Sequence, residues 1–351
     1  ITDHRLITLL VNNSQFNAFA APGGIIGVNT GLFLYAQTEA QFAAVLAHEF
    51  AHLSQRHYAR SVNKASDNFL PTAAALVGSL ILMAANATDI GFAAFTSTIA
   101  GLQSSRLSFS RLYEREADNI GILTLARAGF DPHAMPEVFE QMSKANTHGS
   151  APEFLLTHPI TENRIADSRA RASQFKTKDF KDSSTYQLMR TRIKFLARND
   201  TKELLKELLQ NHPNDATTVP DASRYLMAIA ATKTQDYNLA TKQLTILLQK
   251  EPSNIHYIIA KAKLNAASGD TNTALKQISG ILGTHPDAYP LLALKSDILI
   301  QQKNYKAARD ILLKLSHMRF EDPDIWYELA EAQGLSEDNL GLHQARAEYF
   351  F

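Results

Sequence analysis

His48-Glu49-Phe50-Ala51-His52 and, further on, Glu114-Arg115-Glu116-Ala117-Asp118 decide how the first half of this chain is read. On a helix, residues four apart share a face, so His48 and His52 can present both imidazoles to one metal ion. Glu49 then lies beside that ion, placed to take a proton from a water there. This is the H-E-x-x-H pattern of zinc-dependent peptide hydrolysis. A catalytic zinc takes three protein ligands and keeps an open position. The carboxylate-rich stretch can supply the third ligand, with Glu114 the choice and Glu116 the runner-up. Glu114 and Asp118 are one helical turn apart, so Asp118 is expected just behind the site, accepting a hydrogen bond from a ligand histidine and fixing its tautomer. Glu116 faces elsewhere and reads as a solvated charge.

The surroundings of the first stretch favour a packed helix over a surface one. Thr38 can cap it, and Phe42, Val45, Leu46 and Leu53 give it an apolar stripe. Two histidines and a glutamate half-buried there need a partner, and a metal supplies one. Upstream, residues 4–11 and 25–29 read as short strands, separated by Asn17 to Gly24 with turn chemistry at its end. In zinc peptidases of this plan, substrate adds as a strand to a sheet edge beside the metal helix. The strand at Gly24, Ile25 and Ile26 is the candidate edge, and an ordinary internal strand is the alternative.

Residues 69–102 are apolar, with Asp89 the only charge between Asp67 and Arg106. Their richest run, Ala73 to Ala85, falls short of the ~20 residues that span a bilayer. A pair of short helices is expected, covering the active site, touching a membrane surface or packing into the core; a transmembrane hairpin is the remaining option. Past Gly129 and Pro132, His158 precedes Pro159 and should be extended, while Arg164 falls early in a helix that Thr161 can cap.

Lysine plus arginine and aspartate plus glutamate are both 35 in 351 residues, so the formal charge is zero and no basic run dominates. Those grounds argue against nucleic-acid binding as a main role. There is no cysteine, so a metal site must use histidine and carboxylate. The chain begins at Ile1 rather than Met, which fits a processed or trimmed product from which any signal peptide would have been removed, so its absence here carries no information.

The second half carries a repeat. Ala228, Ala262, Ser296 and Ala330 recur every 34 residues, as do Ala240, Ala274 and Ala308, and Pro252 and Pro286. That period, with small residues at close-packing points and proline at the turn, is the tetratricopeptide pattern. Repeats are expected at 221–254, 255–288 and 289–322, with an incomplete fourth from 323 and a divergent helical pair over 186–211. The boundary is placed so that residues 1–183 form the metallopeptidase domain and 184–351 the repeat domain. Such units bury their faces by stacking and offer a concave surface to peptides or partner proteins.

In that order, Asn17 to Gly24, His48 to His52, Glu114 to Asp118, and Thr157-His158-Pro159 with Arg164 resemble the signature set of the HtpX-like gluzincin metallopeptidases. With its repeats, the chain is similar to the soluble periplasmic type of that family. The resemblance implies a mainly α chain: an α+β zincin-type protease domain with a small sheet, then an all-α solenoid. It implies one zinc ion on His48, His52 and Glu114, Glu49 as general base, Asp118 in support and Arg164 near the catalytic centre. It also implies that His158 can approach the metal as a fourth ligand and silence the enzyme. The role implied is quality control of outer-membrane proteins in the periplasm of a Gram-negative bacterium, the repeats binding substrate or assembly machinery.

Zinc would polarise the scissile carbonyl while Glu49 takes the proton of the attacking water, and Arg164 or His158 is the donor available to the oxyanion. Two rival readings are a scaffold or chaperone whose repeats do the work, and a membrane-embedded protease built on 69–102.

Overall fold

The computed structural model describes residues 6–62, 78, 111–147, 154–176, 180–212 and 219–350. These fall into two compact units, residues 1–197 and 198–351. The expectations for 69–102 lie, residue 78 apart, outside the described residues. Among the described residues, no helix is long and apolar enough to cross a membrane.

The first unit opens with three strands, β1 (Ile7–Val11), β2 (Ala18–Ala21) and β3 (Ile25–Asn29). Their order is β1-β3-β2, with β1 parallel and β2 antiparallel to β3. Ala-Phe-Ala-Ala has little strand propensity, yet it pairs because Gly23 and Gly24, at φ +93° and +82°, turn the chain straight back onto β3. This corrects the edge assignment. Gly24 lies in the turn, and Ile25 and Ile26 belong to the central strand, paired on both sides. The edge beside the metal helix is β2.

Among the described residues, the helices that follow are α1 (Thr30–Tyr35), α2 (Glu39–Ser54), α3 (His57–Val62), α4 (Arg111–Ala128), α5 (Ala134–Thr147) and α6 (Phe154–Thr157). They are followed by α7 (Glu162–Ala172) and α8 (Ser184–Leu196). Thr38 caps α2 by accepting from Gln41 N–H, and Thr161 caps α7 by accepting from Arg164 N–H. Both caps match the sequence reading. The core gathers Phe16, Leu32, Val45, Ile122, Met135, Phe139 and Phe154. Helix α4 packs closely on α2 and α5 at Gly121, where an added Cβ would stand 2.8 Å from the Met135 methyl of α5 and 3.4 Å from His48 N of α2. That closeness lets α4 deliver its carboxylates to the histidines of α2.

Helix α8 moves the domain boundary from 183/184 to 197/198. Tyr186 is buried in the first unit's core, its ring against Phe33 and Phe42 and its hydroxyl donating to Ala36 O at 2.9 Å. Arg190 Nε donates to Phe33 O at 3.0 Å. Lysines 176, 178 and 181 interrupt the apolar pattern, but the core resumes beyond them. A fragment ending at 183 forfeits a buried tyrosine worth ~3–5 kcal/mol. It is expected to melt well below one ending at 197; equal melting temperatures by circular dichroism would return the boundary to 183.

The second unit begins with α9 (Thr201–Asn211). Four helix pairs follow: α10 and α11 (Asp221–Lys233, Tyr237–Lys250), α12 and α13 (Ile255–Ala267, Thr271–Leu282), α14 and α15 (Tyr289–Gln301, Tyr305–Met318), and α16 and α17 (Pro323–Leu335, Asn339–Phe350). The fourth repeat, expected to be incomplete, therefore holds both of its helices. The divergent pair over 186–211 is divided, α8 joining the first unit and α9 the second. Ala228, Ala262, Ser296, Ala240, Ala274 and Ala308 are all fully buried, as the small-residue spacing demanded.

The repeat also reaches the backbone. Gln235, Gly269, Lys303 and Glu337, each 34 residues from the next, have positive φ between the two helices of their repeats. Only one is glycine; a residue with a Cβ costs ~1–2 kcal/mol in that region. Lys303→Gly and Glu337→Gly are expected to stabilise by up to ~1 kcal/mol each, raising the melting temperature by a few degrees. A lower melting temperature would count against this account of the turns.

Candidate metal centre

Four donor atoms converge in the first unit. His48 Nε2 lies 3.1 Å from His52 Nε2, 3.3 Å from His158 Nδ1 and 3.5 Å from Glu114 Oε2. Glu114 Oε1 is 3.4 Å from His52 Nε2 and 3.0 Å from His158 Nδ1. A tetrahedral zinc ~2.0–2.2 Å from its ligands spaces them ~3.3–3.6 Å apart, so the donor set fits one such ion. All four residues are buried. The separate elements deliver them in an orderly way: the histidine pair one turn apart on α2, Glu114 from the first turn of α4, His158 from just past α6.

The electrostatics favour a divalent cation. With neutral imidazoles, buried Glu49, Glu114 and Asp118 oppose one buried guanidinium, Arg164, leaving two net negative charges. With protein charges alone, burial disfavours charging His48, but Asp118 and Glu114 outweigh it and raise its pKa to about 9. Burial and the neighbouring histidines push His52 well below the usual histidine range. Burial opposes ionisation of Glu114, yet His158 and His48 hold its carboxyl well below the ordinary value.

A pH dependence follows, because the metal must displace the proton on His48. Below about 9, where His48 is protonated, apparent zinc affinity is expected to fall roughly tenfold per pH unit. Competition against a chelator from pH 6 to 9 measures this; a flat profile would show that His48 carries no proton for the metal to displace.

Glu49 is 1% exposed, and its Oε1 is buried with no hydrogen-bond donor among the described residues. The N–H of Ala20, on the edge strand β2, donates to the same carboxylate, and His158 Nε2 stands 3.5 Å from Oε1. Burial is the largest influence on Glu49 and raises its pKa. Asp118 Oδ1 lies 3.0 Å from His48 Nδ1, where the sequence placed it, though out of line with the ring N–H, so the contact is ionic.

Arg164 departs from expectation. Its Nε and Nη2 donate to the two oxygens of Asp118 at 2.9 and 2.8 Å, and Nη1 donates to Pro159 O at 2.7 Å and reaches Glu114 Oε2 at 2.8 Å. A buried guanidinium so committed fastens Asp118, Glu114 and the chain beside His158 to one another. The oxyanion role given to Arg164 is therefore corrected to a clamp.

Glu116 is half-buried rather than fully solvated, and it has partners that the sequence did not announce: it accepts from His57 Nε2 at 3.1 Å and from Arg60 Nη1 at 3.0 Å. His57, fully buried with its Nδ1 3.0 Å from His52 Nδ1, was missed. A histidine five residues past the motif belongs to no spacing rule, and its partners come from α2 and α4.

Comparison with known proteins agrees with this geometry. The model of peptidase family M48 matches residues 3–172, ending with α7, and a tetratricopeptide repeat model matches 265–333. The beta-barrel assembly-enhancing protease of Escherichia coli K12 is 33% identical over 341 residues, 97% of this chain and 69% of that protein. The chain belongs to peptidase family M48. Within this family, the putative beta-barrel assembly-enhancing protease of Vibrio cholerae is 34% identical over 327 residues, 92% of this chain and 67% of its own length. The mitochondrial metalloendopeptidase OMA1 of Arabidopsis thaliana is 36% identical over 156 residues, 44% of this chain and 29% of that protein. The chain is thus an M48 metallopeptidase joined to tetratricopeptide repeats.

Proposed function

We propose that this metallopeptidase binds one zinc ion on His48, His52 and Glu114 and cleaves misfolded or stalled outer-membrane barrel proteins in the periplasm of a Gram-negative bacterium, His158 holding it inactive at rest. The observation that carries the reading is the convergence of four buried donors beside a buried glutamate. The names of the relatives, which tie them to barrel assembly, support the substrate class.

When bound, the cation would polarise the scissile carbonyl and acidify the attacking water. Glu49 then takes that water's proton at Oε1 and returns it to the leaving nitrogen, its raised pKa suiting it to both transfers. The edge of β2, which carries Ala20, offers backbone groups to an extended peptide, as strand addition requires. Asp118 orients His48, and Arg164 holds Asp118 and Glu114 in place. The repeats supply a surface for substrate or for the assembly machinery.

His158 ties itself to the donor set through Nδ1, fills the place a water needs, and sets Nε2 beside Glu49. That arrangement supports latency. It also favours a second reading, in which the chain serves barrel assembly as a chaperone or scaffold and proteolysis is secondary. Zinc-loaded protein incubated with an unfolded outer-membrane barrel protein separates the two. Metal-dependent fragments abolished by chelator support the peptidase; binding with no fragment from either the parent or a His158 variant favours the scaffold.

A further inference from the structure

The two histidines of α2 are backed differently. His48 turns Nδ1 to a carboxylate, Asp118, one turn beyond Glu114 on α4. His52 turns Nδ1 to another histidine, His57 Nδ1, at 3.0 Å, and His57 Nε2 faces Glu116 Oε2 at 3.1 Å. Glu116 stands two residues from Glu114, so its carboxylate leaves α4 on another face and cannot reach His52 itself. His57 spans the gap.

The proton positions follow from what each group can do. Glu116, ionised and also accepting from Arg60, can only accept, so His57 carries its proton on Nε2. Neutral His57 then has a lone pair on Nδ1, which requires the proton of His52 on its own Nδ1 and leaves His52 Nε2 bare toward the other donors. The ring of His57 is locked: it is fully buried and stacked on Tyr113, centroids 4.7 Å apart and planes 11° from parallel, with the Arg60 guanidinium 4.6 Å from the Tyr113 centroid.

We propose that His57, held by Glu116, is a positioning residue of the metal centre: it fixes the tautomer and ring plane of His52 so that Nε2 meets the cation as a lone pair. The inference rests on the metal reading above. Partners of this kind typically govern metal affinity by 10–100-fold.

The test compares the parent with His57→Phe, which keeps the stacked ring and removes both nitrogens, His57→Gln, which restores an acceptor, and Glu116→Ala. Three quantities are measured: zinc affinity against a chromophoric chelator, the visible spectrum of the cobalt(II)-loaded protein, and melting after chelation. His57→Phe is expected to bind zinc about 10–100-fold more weakly, with an altered cobalt spectrum, while melting after chelation stays within a few degrees. Glu116→Ala should lose affinity severalfold, and His57→Gln should recover part of it. Zinc affinity within twofold of the parent and an unchanged cobalt spectrum in His57→Phe overturn the proposal. If His57→Phe does not fold, the same result in Glu116→Ala overturns it. A parent that takes up no zinc refutes the metal reading itself, and this inference with it.

Discussion

Replacing Glu49 with glutamine is expected to lower peptide cleavage by about 10²–10⁴-fold while leaving zinc stoichiometry at the parental level. The side chain keeps its shape and its amide can still meet Ala20, but it can no longer serve as the base proposed to take the proton of the attacking water. Glu49 is not among the four clustered donors, so metal uptake should survive. Stability should move the other way from activity. A carboxyl whose pKa is raised by burial penalises the fold above its unfolded pKa, so at neutral pH a neutral amide relieves that penalty. The measurements are kcat/KM on an unfolded barrel protein, bound zinc and the melting temperature. Cleavage at the parental rate would place the base elsewhere.

His158→Ala is expected to raise cleavage tenfold or more. The imidazole is buried, stacked on Phe154 at 4.6 Å between centroids, and within 3.0–3.3 Å of Glu114 and His48 through Nδ1. A resting state favoured by only ~1.4 kcal/mol already suppresses activity tenfold, and a buried ring with those contacts is expected to provide at least that much. Removing the ring opens a place for water and frees Oε1 of Glu49 from its neighbour at 3.5 Å. Zinc affinity should fall at the same time, since one donor is gone, so the assay is run at saturating zinc. A His158→Ala chain no faster than its parent would show that His158 is not the brake, and a slower one would make it part of the catalytic machinery.

The candidate donors were legible because their chemistry is written in short-range spacing. Residues four apart on a helix share a face whatever the rest of the chain does, which yields His48 with His52 and places Asp118 behind Glu114. The repeats were legible for the same reason, each copy restating the helix pair. Where spacing carried no information, the reading failed. The strand Ala18–Ala21 has a composition that predicts nothing, and its pairing by two positive-φ glycines turned the expected edge into the centre of the sheet. Lysines near 176–181 look like a linker, but burial of Tyr186 against Phe33 and Phe42 is a long-range event no local pattern announces.

By itself, then, the sequence determined a helix bearing two histidines and a glutamate, a second helix rich in carboxylates, and a tetratricopeptide solenoid, because helical periodicity and repeat period are local properties of the chain. Only the tertiary structure decided that Arg164 is spent on Asp118, Glu114 and Pro159, that β2 is the edge beside Glu49, and that His57 stands between His52 and Glu116. Each of these is a contact between elements far apart in the chain, set by which faces pack together and by which buried charges must find a partner.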